Sequence, residues 1–152
     1  MKEFRTFSSQ ETVEVAKRLG NILQNGDVIC LNGDLGTGKT AFTNGIAQSL
    51  GIDGYITSPT FTIVNEYRGN IPLFHFDVYR IGEPDEMFDI GYDEYISGEG
   101  VVVIEWADLI KDVLPLEHIR VDIKKDLDSG LDARIIEISF NGEKYLEYEE
   151  KL

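Results

Sequence analysis

At 152 residues the chain is sized for one compact domain, with a core large enough to need neither disulfides nor a structural metal. Its 28 acidic residues outweigh 14 basic ones, and the resulting net charge of −14 disfavours independent binding to nucleic acid, so contact with RNA or DNA would come through a partner. The lone Cys30 excludes an internal disulfide framework, Met1-Lys2-Glu3-Phe4-Arg5 lacks the apolar run of a signal peptide, and no stretch approaches the ~20 apolar residues that span a bilayer, so the cytoplasm is the expected location and no membrane the expected partner.

Along the chain, Ser8-Ser9-Gln10-Glu11 forms a capping-box pattern and opens a helix with Val15, Leu19, Ile22 and Leu23 on one face; Gly26 follows its end. Val28 to Leu31 reads as a short buried strand, and Cys30 within it as a small buried hydrophobe. A second helix begins near Lys39, buries Phe42, Ile46 and Leu50, and stops at Gly51. Phe61–Tyr67 and Leu73–Tyr79 read as strands joined by the Gly69-Asn70 turn, which predicts a hairpin. Gly82 to Gly100 is acidic and Gly-rich, with short helical pieces at best. Val101-Val102-Val103-Ile104 has the unbroken apolar character of a strand covered on both faces. Two alternating strands follow, Ile119–Ile123 and Arg134–Phe140, with a polar turn from Lys125 to Gly130 between them, and a short helix or frayed tail from Glu143 closes the chain. The sum is an α/β chain of one domain, residues 1–152. Its sheet is mixed, parallel in the core and antiparallel toward the C-terminus, with helices on both faces.

Between the first strand and the second helix lies Gly33-Asp34-Leu35-Gly36-Thr37-Gly38-Lys39-Thr40, which satisfies G-x-x-x-x-G-K-[ST] at every fixed position. The glycines let the backbone curl so that several N–H groups converge, and the positive end of the helix dipole completes an anion cradle. Lys39 is then placed for the β- and γ-phosphates and the Thr40 hydroxyl for Mg²⁺. A plain glycine turn would leave a lysine at a helix start, where the dipole disfavours a cation. The fold predicted is that of a P-loop NTPase.

Such a site needs an acid at the end of an apolar strand, and two are available: Glu105 after Val101–Ile104, and Asp77 after Leu73–Phe76. Glu105 is favoured beside the metal, directly or through water, with Asp77 nearby to order the attacking water or the magnesium waters. Either acid alone reads equally well as an exposed strand end. His75 reads more readily as a core histidine than as a catalyst, and Trp106 as packing, although it is placed to stack on a base or gate the site. Thr60, in Ser58-Pro59-Thr60, offers a hydroxyl to Mg²⁺ or the γ-phosphate, or else simply starts a strand. No [NT]-K-x-D tetrapeptide occurs, so ATP is preferred to GTP.

The phosphate loop, Ser58-Pro59-Thr60-Phe61, the hexapeptide His75-Phe76-Asp77-Val78-Tyr79-Arg80, and Ile104-Glu105-Trp106-Ala107 together resemble the TsaE (YjeE) family. The resemblance spans the chain from Glu11 to Arg134; the loop marks only a superfamily, and the hexapeptide followed by Glu-Trp makes the match specific. Thr37 is a mild departure where the family often has Ala or Ser. The resemblance implies a Mg-dependent ATPase of bacterial tRNA threonylcarbamoyladenosine synthesis at adenosine 37, acting with the TsaB–TsaD pair to allow repeated turnover and meeting tRNA only through these partners. It implies Mg²⁺ on Thr40 and Glu105, a functional aspartate at Asp77, and adenine-side contacts from Ser9 and Arg134. Two rivals remain: a small-molecule kinase, disfavoured because residues 81–100 contain no Lys or Arg for a basic lid, and a nucleotide switch in which hydrolysis is incidental.

Overall fold

The computed structural model describes residues 1–59 and 62–152; Thr60 and Phe61, and with them the role expected of the Thr60 hydroxyl, lie outside the described residues. The chain runs β1 (Lys2–Thr6), α1 (Ser9–Gly20), β2 (Val28–Asn32), α2 (Lys39–Ser49), β3 (Val64–Tyr67), β4 (Leu73–Asp77), α3 (Glu86–Asp89), α4 (Tyr92–Ser97), β5 (Val101–Glu105), a 3-10 segment (Ala107–Val113), β6 (His118–Lys125), β7 (Arg134–Asn141), a 3-10 turn (Glu143–Tyr145) and α5 (Tyr148–Lys151). The strands form one sheet in the order β1-β7-β6-β2-β5-β4-β3. Strands β4, β5, β2 and β6 are mutually parallel; β3 pairs antiparallel with β4, β7 with β6, and β1 with β7. The expected mixed sheet, parallel around the loop and antiparallel at the C-terminal side, is the one observed.

Strand β2 is central and buried along its whole length, and its period-two alternation feeds two cores. Ile29 and Leu31 face α1 and α2, where they meet Val15, Leu19, Phe42 and Ile46. Val28 and Cys30 face the other way, toward Met87, Tyr92, Ala107 and Ile110. Burial there raises the Cys30 thiol pKa to about 12, so it is an inert hydrophobe at neutral pH. The acidic segment between β4 and β5 is thus a packed layer: α3 and α4 insert Met87 and Tyr92 beneath the sheet.

Helix α1 starts where the capping pattern puts it, with the Ser8 hydroxyl accepting from the Glu11 N–H at 3.1 Å. The first strand, β1, was not anticipated: five residues with two interior charges carry little apolar signal, and only its pairing with β7 orders it. Strand β4 ends at Asp77 rather than Tyr79, where the Asp77 carboxylate accepts from the Tyr79 N–H as the chain leaves the sheet, and β3 runs from Val64. Of the two endings expected, a short helix or a frayed tail, the chain takes the first, and α5 straps the C-terminus to the domain. Tyr145, Tyr148 and Leu152 are buried against the first core, and the Tyr148 hydroxyl donates to the carboxylate of Asp27, which is fully buried.

Candidate active site

The loop from Gly33 to Thr40 leaves the C-terminal end of β2 and enters α2, whose N-cap, Gly38, has a φ of 109°. That left-handed conformation strains any residue but glycine, so the loop geometry is written into the chain. Gly36, with φ 79°, makes the same demand. Arg134, at the start of β7, braces the loop from the side: its Nε donates to the Thr37 carbonyl at 2.8 Å and its Nη2 to the Gly36 carbonyl at 3.3 Å. The same guanidinium donates through Nη1 to the carbonyls of Leu131 and Ala133, tying the β6–β7 connection to the loop.

Lys39 is folded back on its own loop. Its ammonium donates to the carbonyls of Gly33 (2.5 Å) and Asp34 (3.0 Å), and lies 3.9 Å from the centroid of the Trp106 ring. Burial pulls its pKa below the usual lysine range, while the negative charges of Glu105, Asp77 and Asp34 partly restore it. Trp106 is the one non-glycine residue with positive φ (64°) among the described residues, and Tyr79 packs on its ring at 4.8 Å between centroids. This places an aromatic pair beside the loop at the end of β5.

The two candidate acids meet there. Asp77 ends β4, Glu105 ends β5, and the two are register partners on adjacent parallel strands. Side chains two apart on a strand share a face, so His75 and Asp77 point the same way. Glu105 is buried; its Oε2 makes a very short hydrogen bond with His75 Nε2 and also accepts from Ser58 Oγ at 3.4 Å. Ser58 Oγ in turn lies 2.9 Å from Thr40 Oγ1. A continuous line of oxygens therefore runs from the loop threonine to the β5 carboxylate. Asp77 is half-buried, and burial raises its pKa above the usual carboxylate range against the lowering effect of the Tyr79 N–H, which donates to it at 3.1 Å. Thr40, Ser58, Asp77 and Glu105 line a cleft of about 320 Å³ with Leu35, Gly36, Gly38, Lys39 and Trp106. Two carboxylates and two hydroxyls offer only hard oxygen donors, the set Mg²⁺ takes together with phosphate oxygens. The residues fit that ion.

Across the loop from this cleft a smaller cavity of about 190 Å³ is lined by Ser9, Thr12, Gly36, Thr37, Gly38, Ala41, Asp132 and Arg134. The two residues assigned to the adenine side from resemblance, Ser9 and Arg134, thus share one hollow although 125 positions separate them in sequence. The glycines of the loop form the wall between the two spaces. Leu35 is exposed at the loop tip and borders the first.

Residues 6–135 match the family model described as threonylcarbamoyl adenosine biosynthesis protein TsaE. The chain belongs to the TsaE family. It is 46% identical over 144 residues to the tRNA threonylcarbamoyladenosine biosynthesis protein TsaE of Bacillus subtilis (strain 168), covering 94% of this chain and 88% of the relative. Identity to the protein of the same name from Treponema pallidum (strain Nichols) is 41% over 128 residues, covering 84% and 95%. The crystal structure of Bacillus subtilis YdiB superposes with a TM-score of 0.81 at 41% identity, over 99% of this chain and 93% of that one. The P-loop fold expected from the sequence is therefore the TsaE-family fold, and no helix among the described residues is long and apolar enough to cross a membrane.

Three residues of the candidate site make contacts that the sequence does not disclose. His75, weighed as a core residue, is buried as expected but bound to Glu105. Ser58 links Thr40 to Glu105, whereas the sequence drew attention to the neighbouring threonine. Arg134 grips the loop carbonyls, a contact that its distant position conceals. The spacing of His75 to Asp77 was the available signal for the first, since alternate strand residues share a face.

Proposed function

We propose that this chain binds ATP with Mg²⁺ on the loop from Gly33 to Thr40, hydrolyses it, and so drives repeated rounds of tRNA threonylcarbamoyladenosine synthesis by a TsaB–TsaD pair. Membership of a family described by that biosynthesis supports the process. The observation that carries the chemistry is the register pairing of Asp77 with Glu105 at the strand ends facing Thr40. A purely structural P-loop would not need two carboxylates gathered in the cleft beside its threonine, where a bound cation offsets the cost of bringing them together.

In this reading the backbone N–H groups around Gly36 to Thr40 hold the phosphates, and Lys39 exchanges the carbonyls of Gly33 and Asp34 for phosphate oxygens. The exchange is favourable because those carbonyls are weak partners for an ammonium whose charge burial already disfavours. Thr40 and Glu105 hold the metal, which when bound neutralises charge developing on the phosphoryl oxygens. Asp77 accepts a hydrogen bond from the attacking water; its raised pKa makes it a stronger base than an exposed carboxylate. Ser9 and Arg134 border the hollow on the opposite side of the loop, where the nucleoside end emerges if the γ-phosphate points at the acids. Trp106 and Tyr79 flank the γ-phosphate side and border a further cavity of about 390 Å³ with Ser58, Pro59 and Arg80. That surface adjoins the reacting phosphate and is where a partner would sense nucleotide state.

The kinase alternative is disfavoured by packing. The acidic segment around α3 and α4 is fixed beneath the sheet, and none of its residues lines the spaces beside the loop. The test is product per TsaD over time in purified reactions with TsaB, TsaD, tRNA and preformed threonylcarbamoyl-adenylate. Many turnovers with the wild type, against about one without it or with Lys39→Ala, would establish an ATP-driven recycling role. Equal product in all three would remove it.

A further inference from the structure

Glu105 is held from inside the protein by a residue the chemistry above does not use. His75 lies on β4 with no solvent exposure, two residues before Asp77 and on the same face. Its Nε2 meets Oε2 of Glu105, while its Nδ1 is buried and has no hydrogen-bond partner among the described residues. These two facts favour one placement of the ring proton. A carboxylate only accepts, so a proton on Nδ1 would set the Nε2 lone pair against Oε2 and leave a buried N–H unpaired. A ring with its proton on Nε2 alone satisfies the contact and leaves only a lone pair without a partner at Nδ1. The same Oε2 also accepts from Ser58, whereas no hydrogen bond to Oε1 occurs among the described residues.

We infer that His75 is a positioning residue for the metal: its Nε2–H pins Oε2 of Glu105 and commits Oε1 to the cation that Thr40 shares. This rests on the proposed Mg²⁺-dependent nucleotide site and adds to it a hydrogen-bond donor behind the ligating carboxylate. Without the donor, a buried carboxylate is free to rotate about its last torsion or swing toward Ser58. The cation then meets a ligand that must be ordered on binding, at a cost in affinity. Neither the glycine loop nor the nucleoside hollow involves His75, so metal-free nucleotide binding should not feel its loss.

The experiment compares wild type, His75→Phe, His75→Gln and His75→Asn in two measurements. ADP affinity is measured by calorimetry in the presence of a chelator, and Mn²⁺ affinity of the ADP complex by electron paramagnetic resonance. Phenylalanine fills the site without a donor, glutamine carries an amide N–H at nearly the reach of Nε2, and asparagine falls short of it. For His75→Phe, Mn²⁺ binding should weaken about tenfold, the range found for partners behind metal ligands, while metal-free ADP affinity stays within about twofold. His75→Gln should restore Mn²⁺ affinity to within about threefold of wild type. If the phenylalanine variant does not fold, glutamine against asparagine decides, with only the asparagine variant expected to lose metal affinity. Mn²⁺ affinity at the wild-type level in folded His75→Phe, or equal affinities for the glutamine and asparagine variants, would overturn the inference while leaving the ATPase reading intact. A parallel fall in metal-free ADP affinity would overturn it too, by making His75 a general structural residue. Wild-type protein that binds ADP but gains no Mn²⁺ site would remove the metal reading and this inference together.

Discussion

Gly45 sits in the middle of α2 where that helix crosses α1, and replacing it with alanine sets two physical effects of opposite sign against each other. A Cβ at this position would stand 2.5 Å from the carbonyl oxygen of Val13 and 2.6 Å from the Cβ of Ala16. Carbon atoms rest at about 3.5–4.0 Å, so the helices would have to part by about 1 Å. Overpacking of this kind costs about 1–3 kcal/mol. Alanine is the better helix former by about 1 kcal/mol, which offsets part of that cost. The net expectation for Gly45→Ala is a loss of about 1 kcal/mol, and at this chain length each kcal/mol moves the midpoint by about 2–4 °C. Thermal unfolding followed by far-ultraviolet circular dichroism reads the sign directly. Because α1 begins beside the hollow lined by Ser9 and Arg134 and α2 begins at Lys39, parting the helices should also weaken ATP binding. An unchanged or raised midpoint would mean that helix propensity, not close approach, governs this crossing, and the reasoning would be wrong.

Asp77→Asn should slow ATP hydrolysis while ATP binding persists, and it should also stabilise the fold near neutral pH. Burial raises the folded pKa of Asp77, so its favourable contribution is complete below the unfolded value of 3.8 and is lost as pH rises through the folded value. The midpoint difference between variant and wild type should therefore grow from acid toward neutrality; a constant difference would refute the assignment. Arg134→Ala removes the donors to the Gly36 and Thr37 carbonyls, and ADP affinity measured by calorimetry should fall about tenfold with only about 1 kcal/mol lost in stability. Tyr148→Phe takes one donor from buried Asp27, which keeps the Gln24 N–H and Lys144, and urea unfolding should register a loss of about 2 kcal/mol. No measurable loss would mean that the C-terminal strap is not part of the cooperative fold.

The phosphate loop, the central strands and the helices on either side of them were legible in the sequence, because each rests on local physics. A left-handed φ at Gly36 and Gly38 requires glycine, and β2 and β5 read as apolar runs because both their faces are covered. Helix α1 announced itself through the Ser8 cap. The candidate acids were also visible, each at the end of an apolar run, but sequence alone left each equally readable as an exposed strand end. Only the parallel pairing of β4 with β5 made Asp77 and Glu105 neighbours, since strand order is set by which faces find cover and not by any local motif. The same long-range packing decided what sequence could not. It ordered β1 along β7, turned His75 from a plain core residue into the hydrogen-bond partner of Glu105, and carried Arg134 from the far end of the chain onto the carbonyls of the loop. Such contacts join residues tens of positions apart through the sheet, and nothing in the spacing of either residue records the other.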